Sequence, residues 1–220
     1  MRHSDCYRLA KQLLPSLSGL TTDKRDLLFF TPIGDILRGF AFESTAYARE
    51  EFYFWWFFMP IGRPIEYLTL GYGGRLSPPI GYTDWRTHME DLPNKLLSAL
   101  RPKALPLLQS TITYQDTINA IHELRGEQAG TDTNILDDLS CLQILDGQFE
   151  AARQTLDALI SHEHGDDRRQ WILDIVERAK GLKEKLINDP QFAIDQVKEW
   201  QKHTFKALKL EMWRQTEPKM

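Results

Sequence analysis

The chain has 220 residues, 42% of them hydrophobic, and its 27 Lys and Arg side chains against 31 Asp and Glu leave a net charge of −4. This length and composition are typical of a globular protein with one large domain or two small ones. The amino-terminal segment is charged and amphipathic, which predicts no signal peptide, and no apolar run approaches the about 20 residues that a membrane-spanning helix needs. The two cysteines, Cys6 and Cys141, lack the spacing of a zinc site, which indicates reduced thiols in a cytoplasmic protein.

A helix is predicted over residues 5–17, with Ser4 as its N-cap and with Pro15 bending or ending it early. The sequence then changes to a β pattern, because 16 of the 24 aromatic residues lie between Phe29 and Trp85. Runs of aromatic and aliphatic residues separated by turn-forming residues predict strands at 27–31, 36–42, 51–59 and 65–72. The short connections between these strands favour an antiparallel meander.

Residues 52–59 read FYFWWFFM, a run of eight large apolar side chains without alternation. Successive side chains of a strand point to opposite faces of the sheet, so a strand of this composition is predicted to be covered on both faces. We therefore expect Phe54, Trp56 and Phe58 to lie in the main core.

A stretch rich in Gly and Pro at residues 71–81 predicts a boundary between two regions. Residues 1–82 are predicted to form a helix and an aromatic-rich antiparallel sheet. Residues 83–220 are predicted to form a helical region that packs on this sheet in one compact unit. The first predicted helix of this region is capped by Thr83 or Asp84, carries Trp85, Met89 and Leu92, and continues after Pro93. A second helix is predicted over 114–125, and a pair of helices over 134–162 is joined at Asp146 and Gly147. The last predicted helix begins at Pro190, after the cap Asp189. The predicted fold class is α+β, with an antiparallel sheet of about four strands in the N-terminal half packed with helices, followed by an all-helical C-terminal half.

Small and apolar residues recur at fixed spacing in the helical pair. The positions are Leu136, Leu139, Ser140, Gly147, Phe149, Ala152, Leu156 and Leu159. In this spacing, residues 136–159 resemble one tetratricopeptide helical hairpin, although Gln143 stands where that family has an aromatic or large apolar residue. The resemblance implies a helix-lined surface for a peptide or a protein and no catalysis. The alternative is an ordinary helical hairpin packed on the sheet.

The negative charge is concentrated in one quarter of the chain. Residues 111–165 carry 10 acidic and 2 basic side chains, a net of −8, whereas 1–110 and 166–220 each carry a net of +2. Such a segment attracts a basic partner and repels nucleic acid. The predicted partner-binding residues are Asp116, Asp132, Asp137, Asp138, Asp146, Glu150 and Asp157. The apolar stripes predict that the last five of these are exposed to solvent, and the alternative is that they only keep a helical surface solvated.

The chain is similar in general character to bacterial toxin-immunity proteins, which are small, acidic and aromatic-rich and lack catalytic motifs. This likeness implies a non-catalytic, cytoplasmic protein-binding module that neutralises a basic toxin domain through its acidic surface. One alternative is a small enzyme with a pocket at the loop of residues 71–85, lined by Tyr72, Arg75, Tyr82, Trp85 and Arg86. A third hypothesis is a nucleic-acid-binding protein with a basic stripe formed by Arg63, Arg75, Arg86, Arg101 and Lys103.

Residues 162–167 read HEHGDD and carry the most metal-like side chains. Positions two apart on a helix point in different directions, so His162 and His164 are poorly placed to share an ion. His122 and Glu123 begin like a zinc-protease motif, but position 126 is Gly, so the second histidine ligand is missing. We therefore predict no metal and no cofactor.

Overall fold

The computed structural model describes residues 2–23, 26–46, 48–161 and 169–214. The predicted α+β class is confirmed, with an antiparallel sheet in the N-terminal half and helices in the C-terminal half. The chain divides into two compact units: unit 1 comprises residues 1–59, 68–110 and 211–220, and unit 2 comprises 60–67 and 111–210. The predicted boundary after residue 82 therefore falls inside unit 1. None of the described helices is both long enough and apolar enough to cross a membrane.

Unit 1 is built around a sheet in which the strand order is β1-β2-β3-β4-β5, with β6 also paired to β4. The pairings β1–β2, β2–β3, β4–β5 and β4–β6 are antiparallel. The strands are β1 (Leu20–Thr22), β2 (Leu27–Phe30), β3 (Ile36–Ser44), β4 (Glu51–Pro60), β5 (Tyr72–Arg75) and β6 (Trp85–Arg86). The helices of unit 1 are α1 (His3–Leu13), α2 (Leu92–Leu100) and α3 (Ala104–Ser110), and short 3-10 turns cover Leu14–Ser16 and Glu211–Trp213.

The early end of the first helix is confirmed, because α1 stops at Leu13 and Pro15 lies in the 3-10 turn that follows. The predicted cap is wrong: Arg2 is the N-cap, and Ser4 lies inside the helix. The predicted helix capped by Thr83 or Asp84 is also wrong. Trp85 instead pairs with Phe52 as part of β6, and its indole N–H donates to the Leu76 carbonyl at 2.7 Å.

The core of unit 1 lies on one face of β3 and β4. The rings of Phe42 and Phe54 stack with their centroids 4.8 Å apart, and Phe52 stacks against Trp85 at 6.5 Å. The predicted burial of the central run is confirmed, because Phe54 and Phe58 are fully buried and Trp56 is 6% exposed.

The opposite face of β4 is covered along only part of its length. Every residue from Trp56 to Pro60 is buried, but Glu51, Tyr53 and Trp55 are half-exposed and alternate with buried phenylalanines. The prediction of two covered faces is thus confirmed for the second half of the strand and wrong for the first. Trp55 tolerates this position because its indole N–H donates to the Glu43 carboxylate at 2.7 Å.

Unit 2 is a bundle of helices arranged around α5. Its helices are α4 (Tyr114–Arg125), α5 (Thr133–Leu145), α6 (Phe149–Ser161), α7 (Gln170–Asn188) and α8 (Pro190–Ala207). The predicted helix at 114–125, the helical pair turning near Gly147 and the start at Pro190 are confirmed. Gly147 has a φ of +76°, a conformation that glycine adopts without strain. Helix α5 contacts α4, α6, α7 and α8, so it is enclosed on most of its circumference.

We expect Phe54→Ala to lower the free energy of unfolding by about 3–5 kcal/mol, because it removes a fully buried ring and leaves a cavity. Tyr53→Ala, at the next position on the half-exposed face, is the matched control and should cost less. Urea unfolding of both variants measures the difference. An unchanged midpoint for Phe54→Ala would contradict the position of the core.

Candidate functional site

The ends of the acidic helices in unit 2 are held by their own side chains. The hydroxyl oxygen of Thr113 accepts a hydrogen bond from the backbone N–H of Asp116 at 3.1 Å, and the Asp116 carboxylate accepts one from the backbone N–H of Thr113 at 3.3 Å. Asp132 accepts from the backbone N–H groups of Asn134 and Ile135 at 2.9 and 3.2 Å. Both carboxylates lie at helix N-termini, where the helix dipole favours negative charge. Asp116 and Asp132 are exposed, but each has a capping role.

Asp137 and Asp138 are only 1% and 3% exposed, so the prediction that solvent reaches them is wrong. The two carboxylates lie on α5, and each meets an arginine from another part of unit 2. Arg178 of α7 forms an ion pair with Asp137. The Arg63 Nε–H donates to Asp138 Oδ1 at 2.7 Å. Both acidic charges are therefore neutralised inside the unit and are not presented to a partner.

Arg63 reaches α5 because residues 60–67 fold as part of unit 2. The Thr204 hydroxyl of α8 donates to the Arg63 carbonyl at 2.8 Å and accepts from the Ile65 N–H at 3.0 Å. A Cβ added at Gly62 would lie 2.7 Å from the Cβ of Cys141, so glycine is needed for this close approach. The Ile65 N–H is thus bound to a side chain, and residues 61–71 form no strand. The strand predicted at 65–72 is therefore wrong, and the next strand is β5, which begins at Tyr72.

The structure confirms the predicted exposure of Asp146, Glu150 and Asp157, while their role in binding stays a prediction. The surface also exposes Glu123 and Glu127, which the predicted set left out although they belong to the same acidic segment. Residues 111–161 therefore present seven exposed carboxylates against two half-buried arginines, which leaves a surface excess of five negative charges.

Helix α6 brings this charge next to an apolar surface. Glu150 and Asp157 are seven residues apart, so they lie two turns apart on the same side of the helix. Asp157 pairs with Lys183 of α7. An open groove of about 330 Å³, here called the α6–α7 groove, is lined by Ile160, Lys180, Lys183, Glu184, Ile187 and Asn188. Lys183 belongs to both features, so the acidic side of α6 and the groove adjoin.

Two exposed apolar side chains lie close in sequence to the junction of α7 and α8, and one of them, Ile187, lines the α6–α7 groove. Ile187 and Phe192, just before and after the start of α8, are each 57% exposed. An apolar centre with a charged rim is the usual composition of a protein interface. Sequence reasoning missed Ile187 and Phe192, because single apolar residues near a helix end carry no periodic signal.

The five residues of the predicted enzyme pocket do not line one site. Tyr72 is buried and stacks on Phe58 at 5.3 Å, and Trp85 is buried against Phe52. Arg75 and Arg86 lie on the other face of the sheet. Tyr82 is exposed in the loop between β5 and β6. The sheet thus separates Tyr72 and Trp85 from Arg75 and Arg86.

Two of the five cations in the basic stripe predicted for nucleic acid are neutralised by carboxylates. Arg63 pairs with Asp138, and Arg86 pairs with Glu51 at 2.9 Å. Arg101 and Lys103 are exposed around the start of α3.

Both thiols are protonated at neutral pH. Burial raises the pKa of Cys6 to about 11, and the negative charge of Asp26 acts in the same direction. Burial also raises the pKa of Cys141 well above its ordinary value, with further contributions from Asp137 and Asp138. Because the thiolate is the reactive form, neither cysteine is suited to act as a nucleophile.

The histidine-rich residues 162–167 lie outside the described residues. In the parts of the chain that the structure describes, no group of three or more His, Cys, Asp or Glu side chains is placed to hold a metal ion.

Comparisons with protein families, with curated proteins and with solved structures found no match to this chain.

We predict that Asp138→Ala lowers the free energy of unfolding by about 3–5 kcal/mol, because it leaves the Arg63 guanidinium without its carboxylate in a site that is 13% exposed. Replacing both partners, with Arg63→Met and Asp138→Leu, should recover most of that loss. Asp157→Ala, which breaks an exposed pair, is the control and should cost only about 0–1 kcal/mol. If urea unfolding shows that Asp138→Ala and Asp157→Ala lower the free energy of unfolding equally, a structural role for the buried pair is refuted.

The raised pKa of Cys6 predicts a pH dependence. The folded state holds the thiol proton up to about pH 11, whereas an unperturbed thiol loses it near 9.0. The contribution to stability is therefore fully present below pH 9 and is lost as the pH rises through 11. The urea midpoint of the wild type should fall more steeply over this range than that of Cys6→Ala. An equal dependence of the urea midpoint on pH in both proteins would show that the pKa of the Cys6 thiol is not raised.

Proposed function

We propose that the chain is a non-catalytic protein-binding module that takes a basic partner on the acidic side of α6 and the adjoining α6–α7 groove. The observation that carries the proposal is that exposed Asp157 pairs with Lys183, which lines the groove together with exposed Ile187. Glu150 lies two turns away on the same side of α6. Apolar contacts in the groove would supply most of the affinity. The carboxylates would raise the association rate and select a basic surface.

The finer form of the proposal is an immunity-type inhibitor that neutralises a bacterial toxin domain in the cytoplasm. The acidic excess of α4 to α6 supports this form. Burial of Cys6, Cys141, Asp137 and Asp138 also favours a binding role over a catalytic one.

The test begins with capture of the partner from lysate of the native host and its identification by mass spectrometry. Binding of the purified partner is then measured by biolayer interferometry in low and in high salt. Glu150→Lys with Asp157→Lys should weaken binding about tenfold, mainly through slower association, and added salt should reduce the difference. Asp195→Lys with Glu199→Lys, on exposed positions of α8, is the matched control because it changes the net charge equally.

Equal effects of the two double variants, or binding that ignores salt, would contradict a role for the α6 carboxylates. Ile187→Ser tests the groove separately and should speed dissociation. For the inhibitor form, the partner expressed alone should arrest growth and coexpression of this chain should restore it. A partner without any toxic effect would refute the inhibitor form while leaving the binding module intact.

A further inference from the structure

Unit 1 carries an arginine held on two aromatic rings at the half-exposed face of its sheet. The guanidinium carbon of Arg75 lies 3.7 Å from the centre of the Tyr53 ring and 4.8 Å from that of Trp55. Arg75 is exposed, whereas both aromatic residues are half-buried. We call Tyr53, Trp55 and Arg75 the Arg75 platform.

The charges around the platform already have partners. The Glu43 carboxylate accepts the Trp55 indole N–H at 2.7 Å, and Glu51 pairs with Arg86 at 2.9 Å. Within the described residues Arg75 forms no ion pair and contributes only its contacts with the two rings. Its N–H donors are therefore available to an acceptor from outside the chain.

Stacking also prepares Arg75 for binding. A guanidinium held against aromatic faces has lost part of its conformational freedom before a ligand arrives, so less entropy is lost on binding. Its fork of N–H donors matches the two oxygens of a carboxylate. Trp, Tyr and Arg are also the residues most enriched at the energetic centres of protein interfaces.

Strand β5 places no other side chain beside Arg75 on this face. Arg75 is the last residue of β5, the final strand in the order, and Gly73 is the nearest residue of that strand on the same face. A Cβ at position 73 would clash with the Trp56 carbonyl oxygen, so this close approach of β5 to β4 requires glycine. A partner can thus reach the exposed Arg75 without displacing another side chain of β5.

We propose that the Arg75 platform is a second interaction surface, which binds an Asp or Glu side chain in an acidic segment of a partner protein. A nucleic-acid strand fits it less well, because Arg75 already covers the faces of Tyr53 and Trp55 on which bases would stack. The inference is independent of the acidic surface of α6, since it concerns the other unit and a partner of opposite charge.

The test uses three defined probes: a hexaglutamate peptide, a hexaglutamine peptide and a six-nucleotide oligothymidylate. The readout is the indole N–H resonance of Trp55 in a nitrogen-15 NMR spectrum, assigned by its loss in Trp55→Phe. Hexaglutamate should shift this resonance saturably, and the other two probes should leave it in place. Arg75→Gln should weaken the response about tenfold. Arg86→Gln removes the same charge from the neighbouring ion pair and should change it less than about twofold.

The variant Arg75→Lys keeps the positive charge but removes the planar fork of N–H donors. Its Trp55 resonance should also lose most of its response to hexaglutamate. Near-UV circular dichroism of each variant confirms that the sheet is intact. The proposal is overturned if hexaglutamate leaves the Trp55 resonance unmoved, or if Arg75→Gln and Arg86→Gln weaken it equally. Stronger binding of the oligothymidylate would overturn it as well, because it would assign the surface to nucleic acid.

Discussion

Two adjacent carboxylates buried at the centre of unit 2 have to be neutralised from outside their own helix, and this requirement organises the unit. Removing a charge from water costs several kcal/mol unless an opposite charge and hydrogen bonds replace the lost hydration. Arg178 of α7 serves Asp137, and Arg63 serves Asp138. Arg63 lies between β4 and β5 in the sequence. Its pairing with Asp138 places residues 60–67 with the helices of unit 2, apart from the strands on either side. The discontinuous composition of unit 2 follows from this pairing.

Both proposals depend on which charges are exposed to solvent. Glu150 and Asp157 are exposed although they pair with Arg153 and Lys183. Within the acidic segment, Asp137 and Asp138 are structural, and Asp116 and Asp132 cap helices. What remains for a partner is the smaller exposed set of carboxylates on α4 to α6, and α6 adjoins the α6–α7 groove. In unit 1 the exposed charge offered to a partner is positive. The neighbouring acids are engaged by Trp55 and Arg86, and Arg75 is held by aromatic rings instead of a carboxylate.

Elements with strong local signals could be predicted from sequence, and those that depend on distant partners could not. Helix α8 begins where Asp189 and Pro190 place it, since capping involves only neighbouring residues. The strand predicted at 65–72 failed because Thr204, far along the chain, binds the Ile65 N–H. The burial of Asp137 and Asp138 did have a sequence signal. Helix α5 reads TNILDDLSCLQIL, which is apolar on nearly all sides, and such a helix is normally enclosed.

The central claim is that the exposed carboxylates of α6, and not the buried pair on α5, form the charged surface that meets a partner. Carbodiimide labelling of carboxylates, read by mass spectrometry, tests it in the free protein and in the complex with the captured partner. We predict that Asp137 and Asp138 stay unlabelled in both states, while Glu150 and Asp157 are labelled in the free protein and protected in the complex. Labelling of Asp137 or Asp138 in the native protein, or unchanged labelling of Glu150 and Asp157 on binding, would contradict it.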